Sequence, residues 1–229
     1  TGTRGNDRAA AYIQKHFTKL GLMPGAKDGK PWFQLFIAES SRYKDVPTRT
    51  VLAILHGTDE SLAKEILVVG AHYDHVGVGK FGSRDAGRGG LDDKIHPGAD
   101  DNASGSAGLL ELAEAFSKHP TRRGILFIAS SGEELGLLGS KYYCEHPERP
   151  LEQVTAMINF DMISRSTEDY LFLGGVGTSP IWPDLAKKHL DEKGLAVERG
   201  RGGSAPTDSS SFYEKDIPVL FFHTNLHLD

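Results

Sequence analysis

Cysteine is almost missing from this chain: Cys144 is the single thiol among 229 residues. One cysteine excludes an internal disulfide, and with no CxxC or Cys/His cluster near it, a redox or thiolate–zinc role has no support. Cys144 is expected to be a small, half-buried side chain on a helix. Long apolar runs are missing too, none approaching the roughly 18 residues that a helical membrane span needs. Basic clusters are lacking as well. The 26 Lys and Arg residues are outnumbered by 31 Asp and Glu, which leaves nucleic-acid or membrane-surface binding without its usual electrostatic footprint. Two catalytic signatures are also missing. Without G-x-S-x-G there is no serine-hydrolase elbow, and without H-E-x-x-H the commonest zinc-protease helix is excluded. G-x-G-x-x-G does occur, at Gly77, Gly79 and Gly82, but it runs into SRDAGRGGLDD, which reads as a loop. A dinucleotide cradle needs a helix there.

What is present is enough apolar material, 38% of the chain, for one substantial core, so a single domain over residues 1–229 is expected. NDRAAAYIQKHFTKLG reads as a helix, with Ala9, Ala10, Ile13, Phe17 and Leu20 at helical spacing, Asn6 as its cap and Gly21 as its end. WFQLFIA, TVLAIL and EILVVGAHY read as strands, followed by a charged, Gly-rich loop over about 77–98. A second helix, NASGSAGLLELAEAFSKH, carries its apolar face on Leu109, Leu110, Leu112, Ala113 and Phe116. GILFIAS, VTAMINF and IPVLFF then alternate as strands with the helices LGLLGSKYYCEH and PIWPDLAKKHLDEKG. That alternation predicts an α/β layered sheet. The stretch from 38 to 48 reads as a linker-like loop.

In such sheets ligands bind beyond the carboxyl ends of the strands. The polar residues there are His72 and Asp74, then Glu133 and Glu134, Asp161, and finally His223 and His227. Taken singly, each has a structural explanation. The acids of GADDNASG and SSGEELG suit helix starts, and His-x-Asp is a common pair. Yet a hydrolase that uses a metal-activated water needs one carboxylate on the metal and another to take the proton. Asp161, at the end of an apolar strand, needs a partner, and a cation is a good one.

The ordered motifs GAHYDHVG, HPGADDNASG, SSGEELGLLGS and NFDMIS closely resemble the zinc-dependent exopeptidases of the bacterial aminopeptidase type. That group is related to glutamate carboxypeptidase, the transferrin receptor ectodomain and glutaminyl cyclase. The resemblance covers most of the chain, including its opening and its FFHTNLHLD end. It implies a three-layer α/β/α sandwich with a mixed, mostly parallel central sheet. It also implies an aminopeptidase that hydrolyses the N-terminal peptide bond with a zinc-activated water. A carboxypeptidase, a single-zinc glutaminyl cyclase or a non-catalytic binding ectodomain are the alternatives on the same scaffold. Carried over residue by residue, Asp101 would bridge two zinc ions, His72 and Asp161 would complete one site, and Glu134 would serve the other. Glu133 would be the general base, Asp74 would orient His72, and the Asp101–Asn102 peptide would be cis.

The partner implied is a peptide with a free N-terminus, and the setting implied is extracellular or periplasmic. His75 and His96 are expected to line the pocket or make hydrogen bonds rather than bind metal. In the family the last zinc ligand is a histidine in a D-Y-H context, about two residues past Asp229, so His223 and His227 do not inherit the role. The sequence as given is therefore expected to be incomplete, with the Glu134 site weakened for want of a third ligand. GGSAPTDSSSF, with Asp208 and Phe212, is a candidate border of the substrate pocket.

Overall fold

The computed structural model describes residues 1–27, 31–40, 44–79, 95–166 and 169–224. Helix α1 (Arg4–Lys19) leads into a short strand β1 (Met23–Pro24), β2 (Phe33–Ala38), β3 (Val46–Leu55) and β4 (Ile66–His72). After an irregular turn over Ala99–Ser104 come α2 (Gly105–Lys118), β5 (Gly124–Ser130), α3 (Leu138–Glu145) and β6 (Val154–Phe160). The chain continues with β7 (Tyr170–Gly174), α4 (Trp182–His189), β8 (Ala196–Arg199), α5 (Ser209–Tyr213) and β9 (Val219–His223).

The described strands form one mixed sheet in the order β1-β3-β5-β4-β6-β9-β7-β8, with β2 also paired to β3. Its centre, β5-β4-β6-β9, is parallel, while β3 joins β5 and β7 joins β9 antiparallel. The parallel centre is buried on both faces, which is why its strands read as continuous apolar runs. Alternation sorts the side chains between the two faces. Val51, Ala53, Val69, Ala71, Ile125, Phe127 and Ala129 meet Ala10, Ile13 and Phe17 of α1 and Leu109 and Ala113 of α2. Leu52, Ile54, Val68, Leu126 and Ile128 point the other way, onto Tyr143 and Cys144 of α3 and Phe212 of α5. The result is a three-layer α/β/α sandwich with a mixed sheet, parallel at its centre. No described helix is long and apolar enough to cross a membrane.

Several local expectations change. Thr3, not Asn6, caps α1, its hydroxyl accepting from the Asn6 N–H. Asn6 is buried one turn in, where its amide donates toward Thr48, Tyr73 and Ser131. A buried polar ring satisfies its hydrogen-bonding groups better than a solvated cap would. Residues 46–48 belong to β3 rather than to a linker. The strands β1, β7 and β8 give no periodic signal because they are short and half-exposed. The Gly/Ser-rich segment forms α5, with Ser209, Ser210, Ser211 and Phe212 all buried. Phe212 stacks on Tyr143, ring centroids 5.8 Å apart, so it is a core residue rather than a pocket border.

Candidate metal centre

The carboxyl ends of β4, β5 and β6 lie side by side, and each delivers one part of a polar cluster. His72 is the last residue of β4, pairs in register with Ser130 of β5, and is only 1% exposed. Its Nδ1 lies 3.0 Å from the main-chain carbonyl of Asp74. A carbonyl can only accept, so this contact places the proton on Nδ1 and leaves the Nε2 lone pair facing the cluster. The Asp74 carboxylate is farther off, 3.8 Å from Nδ1. It accepts instead from the Glu133 N–H at 3.2 Å and from the Thr1 hydroxyl at 2.7 Å. Asp74 thus holds His72 through its backbone and the Glu133 turn through its side chain.

Asp101 and Asp161 are positioned by Asn102. That buried amide donates to the Phe160 carbonyl at 3.0 Å, and its oxygen accepts from Gly105 N–H at 2.9 Å and Met162 N–H at 3.2 Å. The peptide between Asp101 and Asn102 is cis, and backbone angles at both residues leave the helical range. On the β6 side, the Asp161 N–H bonds the Phe222 carbonyl of β9 at 3.1 Å. Met162 then adopts φ +55°, a left-handed conformation unfavourable for a long side chain. It is held by Asn102 on its N–H and by Thr224, whose N–H and hydroxyl both donate to its carbonyl. Asp100, the first acid of the pair, turns away and accepts from the N–H and hydroxyl of Ser164, both at 2.8 Å.

Among the described residues, two groups of three side chains have donor atoms within 4.8 Å of one another: His72, Asp101 and Asp161, and His75, Asp101 and Glu134. In the first group His72 Nε2 lies 3.3 Å from Asp101 Oδ1 and 3.4 Å from Asp161 Oδ1. Zinc bonds to nitrogen and oxygen of about 2.0–2.1 Å put neighbouring tetrahedral donors about 3.3–3.4 Å apart, the spacing of His72 Nε2 from each of the two carboxylate oxygens. In the second group His75 Nδ1 is 2.7 Å from Glu134 Oε1 and 3.9 Å from Asp101 Oδ1.

Glu133 stands between the groups without belonging to either, its Oε2 4.0 Å from His72 Nε2. In the metal-free chain burial pushes its carboxyl up to about 9. His72 opposes that shift, and the nearby charges of Asp208, Asp161 and Glu134 add to it. For His72, burial works against the charged ring, but hydrogen bonds to Asp101 and Asp161 and the charges of Asp161 and Glu133 carry its pKa well above the ordinary value.

Of the residues singled out from sequence, His72, Asp101, Asp161, Glu133 and Glu134 all converge here, with Asp74 directly behind them. His96 makes the hydrogen bond expected of it, its Nε2 2.6 Å from the Gly79 carbonyl. His223 is half-buried against Phe172 and Phe221 and joins neither group of donors. His227, Gly82 and the charges from Arg84 to Lys94 lie outside the described residues. One contributor carries no distinctive sequence signal. Asn102 has the composition of a helix cap, yet its amide ties the Asp101 and Asp161 segments together. His75, expected to line the pocket or make a hydrogen bond, makes one: its Nδ1 lies 2.7 Å from Glu134 Oε1.

The model of peptidase family M28 matches residues 50–228 of the chain. The chain belongs to family M28. Among curated relatives, the alkaline phosphatase isozyme conversion protein of Escherichia coli is 31% identical over 91% of this chain and 57% of its own length. Aminopeptidase YwaD of Bacillus subtilis is 37% identical over 45% of this chain and 19% of its own. The chain thus spans between about a fifth and just over half of these relatives. Among solved structures, a zinc aminopeptidase from Bacillus subtilis superposes with a TM-score of 0.62 at 27% identity, covering 79% of this chain and 41% of that one. A glutaminyl cyclase from Tannerella forsythia reaches 0.79 at 17% identity, over 98% and 78% of the two chains. That likeness speaks for the M28 fold alone.

Proposed function

We propose that this chain carries the catalytic site of a zinc-dependent aminopeptidase, which removes the N-terminal residue of a peptide. The observation that carries the reading is the spacing of His72 Nε2 from Asp101 Oδ1 and from Asp161 Oδ1, which matches that of neighbouring zinc donors, beside a mostly buried Glu133 that belongs to neither donor group. Its M28 relatives, several of them named as aminopeptidases, support the same reading. Zinc would be held by His72, Asp101 and Asp161, and a second ion by Glu134 together with Asp101. When bound, zinc supplies Lewis acidity, activating a water and polarising the scissile carbonyl.

The chain's own residues do the rest. Asp74 fixes the His72 tautomer through its carbonyl and the Glu133 backbone through its carboxylate. Glu133 takes a proton from the attacking water and passes it to the leaving amine, so one group serves as base and then acid. Asp101 and Glu134, 30% and 19% exposed, form the open rim of the site. Their carboxylates suit the substrate's free ammonium group, which is what would confine cleavage to the first residue.

Turnover of aminoacyl-p-nitroanilides tests the proposal, with N-blocked analogues and N-terminal glutaminyl peptides as comparison substrates. Release of p-nitroaniline from free-amine substrates alone is the expected result. Cyclisation of glutaminyl peptides without hydrolysis would assign the cyclase chemistry instead. Zinc binding with no turnover of either substrate would leave a binding domain.

A further inference from the structure

We infer that His75 is a protein ligand of the second metal ion, donating through Nδ1 alongside Asp101 and Glu134. The inference rests on the two-ion reading above and adds a ligand to it. His75 lies in the loop after β4, and the next described stretch runs beside that loop: Val78 bridges Ile95, and the His96 N–H bonds the Gly77 carbonyl at 2.8 Å. The imidazole ring is seated rather than loose. On one side it lies against Gly98, where a Cβ would come within 2.9 Å of two ring carbons. The His96 ring meets it edge-on at 6.4 Å between centroids. With the ring plane held in this way, Nδ1 faces Glu134 Oε1 at 2.7 Å and Asp101 Oδ1 at 3.9 Å.

Asp101 Oδ1 is also the atom that faces His72 Nε2, so one oxygen is the vertex common to both groups. A carboxylate common to both groups is what two neighbouring ions would share. For a tetrahedral ion the donors should stand about 3.3–3.4 Å apart. The short His75–Glu134 contact must therefore open, and the long His75–Asp101 contact close, by roughly 0.5–0.7 Å each to reach that spacing. One small tilt of the ring, away from Glu134 and toward Asp101, does both. Two carboxylates and one imidazole are a common zinc donor set, and the 24% exposure of His75 leaves a face open for water or substrate. A hydrogen-bonded His–Glu pair with no metal role is the competing account.

Cobalt titration of the metal-free chain distinguishes them, read by visible absorption and calorimetry. The wild-type chain is expected to take up two Co2+ ions. His75→Gln should leave the first binding step unchanged and weaken the second at least tenfold. His75→Cys should restore the second step and add a near-ultraviolet sulfur-to-cobalt charge-transfer band. That band should be missing from the wild type, whose Cys144 is buried. Unweakened second binding in His75→Gln, or two bound ions without the thiolate band in His75→Cys, overturns the assignment of His75 alone. Uptake of a single ion by the wild type overturns the two-ion reading and this inference with it. Should the variants fold poorly, long-range 1H–15N spectra of the wild type during zinc titration decide the matter. Nδ1 of His75 must shift with the second equivalent, and an unmoved resonance rules it out as a ligand.

Discussion

Glu133 and Glu134 are neighbours with opposite duties, and the difference is one of direction. Glu134 meets His75 at the rim, whereas Glu133 turns inward toward His72, with its N–H anchored on Asp74. Exchanging Glu133 for Gln keeps the shape and removes the proton acceptor. Turnover of aminoacyl-p-nitroanilides should fall by about 10²–10⁴-fold, the usual worth of general acid–base catalysis, with zinc content unchanged by atomic absorption. Unchanged turnover would remove Glu133 from the mechanism. Cys144 illustrates the opposite case, a residue made inert by its surroundings. It is buried in the α3 face of the core, and burial pushes its thiol up to about 12. With the folded-state pKa raised, the thiol stays protonated at pH 7–9, and only the thiolate is an effective nucleophile. Iodoacetamide should therefore leave the native chain unmodified and label it stoichiometrically in denaturant. Rapid native labelling would show that the α3 face opens.

The element that decides the site is the six-residue turn over Ala99–Ser104, where two ligand-bearing segments meet. Three main-chain groups, from Phe160, Met162 and Gly105, are satisfied by the single Asn102 amide. Asn102→Ala leaves them stranded in a largely buried place, at about 1–3 kcal/mol for each group that finds no new partner. A loss of roughly 2–4 kcal/mol in urea denaturation is expected, together with weaker zinc binding, because Asp101 and Asp161 both lose their brace. Gly105 belongs to the same device. A methyl group there would lie 2.3 Å from the Asn102 oxygen and 2.4 Å from the Phe160 carbonyl. Backbone cannot yield as a side-chain tip can, so Gly105→Ala should reproduce the Asn102 phenotype by pushing the amide out. A Gly105→Ala chain that binds zinc and unfolds like the wild type would show that the turn has slack. Helix α5 teaches a related lesson, since its three serines are buried and its composition resembles that of a surface loop.

At the scale of the molecule, the sheet does the positioning and the two helical layers keep it rigid. Phe127, fully buried at the centre of β5 and 5.9 Å from Phe17 of α1, joins sheet to helix directly behind the site. Phe127→Ala should cost about 3–5 kcal/mol, the transfer loss plus an unfilled cavity, a large share of the stability of a chain this size. A gathered cluster of acids around one histidine also repels itself. Any ion that binds the folded chain alone stabilises it by mass action, by about 2.7 kcal/mol at a free concentration one hundred times Kd. The thermal midpoint should accordingly rise with added zinc and fall on chelation, by several degrees in scanning calorimetry. A midpoint indifferent to both would mean that the cluster holds no ion.

The sequence by itself determined the α/β class, the main strands and helices, and the acids and histidines placed at strand ends. It could do so because a core buried on both faces leaves continuous apolar runs, and chemistry at the ends of strands leaves polar residues just beyond them. It was silent where the signal is not periodic. The short outer strands β1, β7 and β8 take their shape from the strand each pairs with, and Asn6 and Asn102 have the composition of caps but the environment of the core. Which two or three donors share an ion was likewise decided only by tertiary structure. His72 and Asp161 are separated in the chain by α2, β5, α3 and β6, and the parallel register of β4 with β6 brings their atoms to 3.4 Å. His75 makes the same point in the smallest compass. Three residues from His72 in the chain, it faces Glu134 instead, with its ring against Gly98.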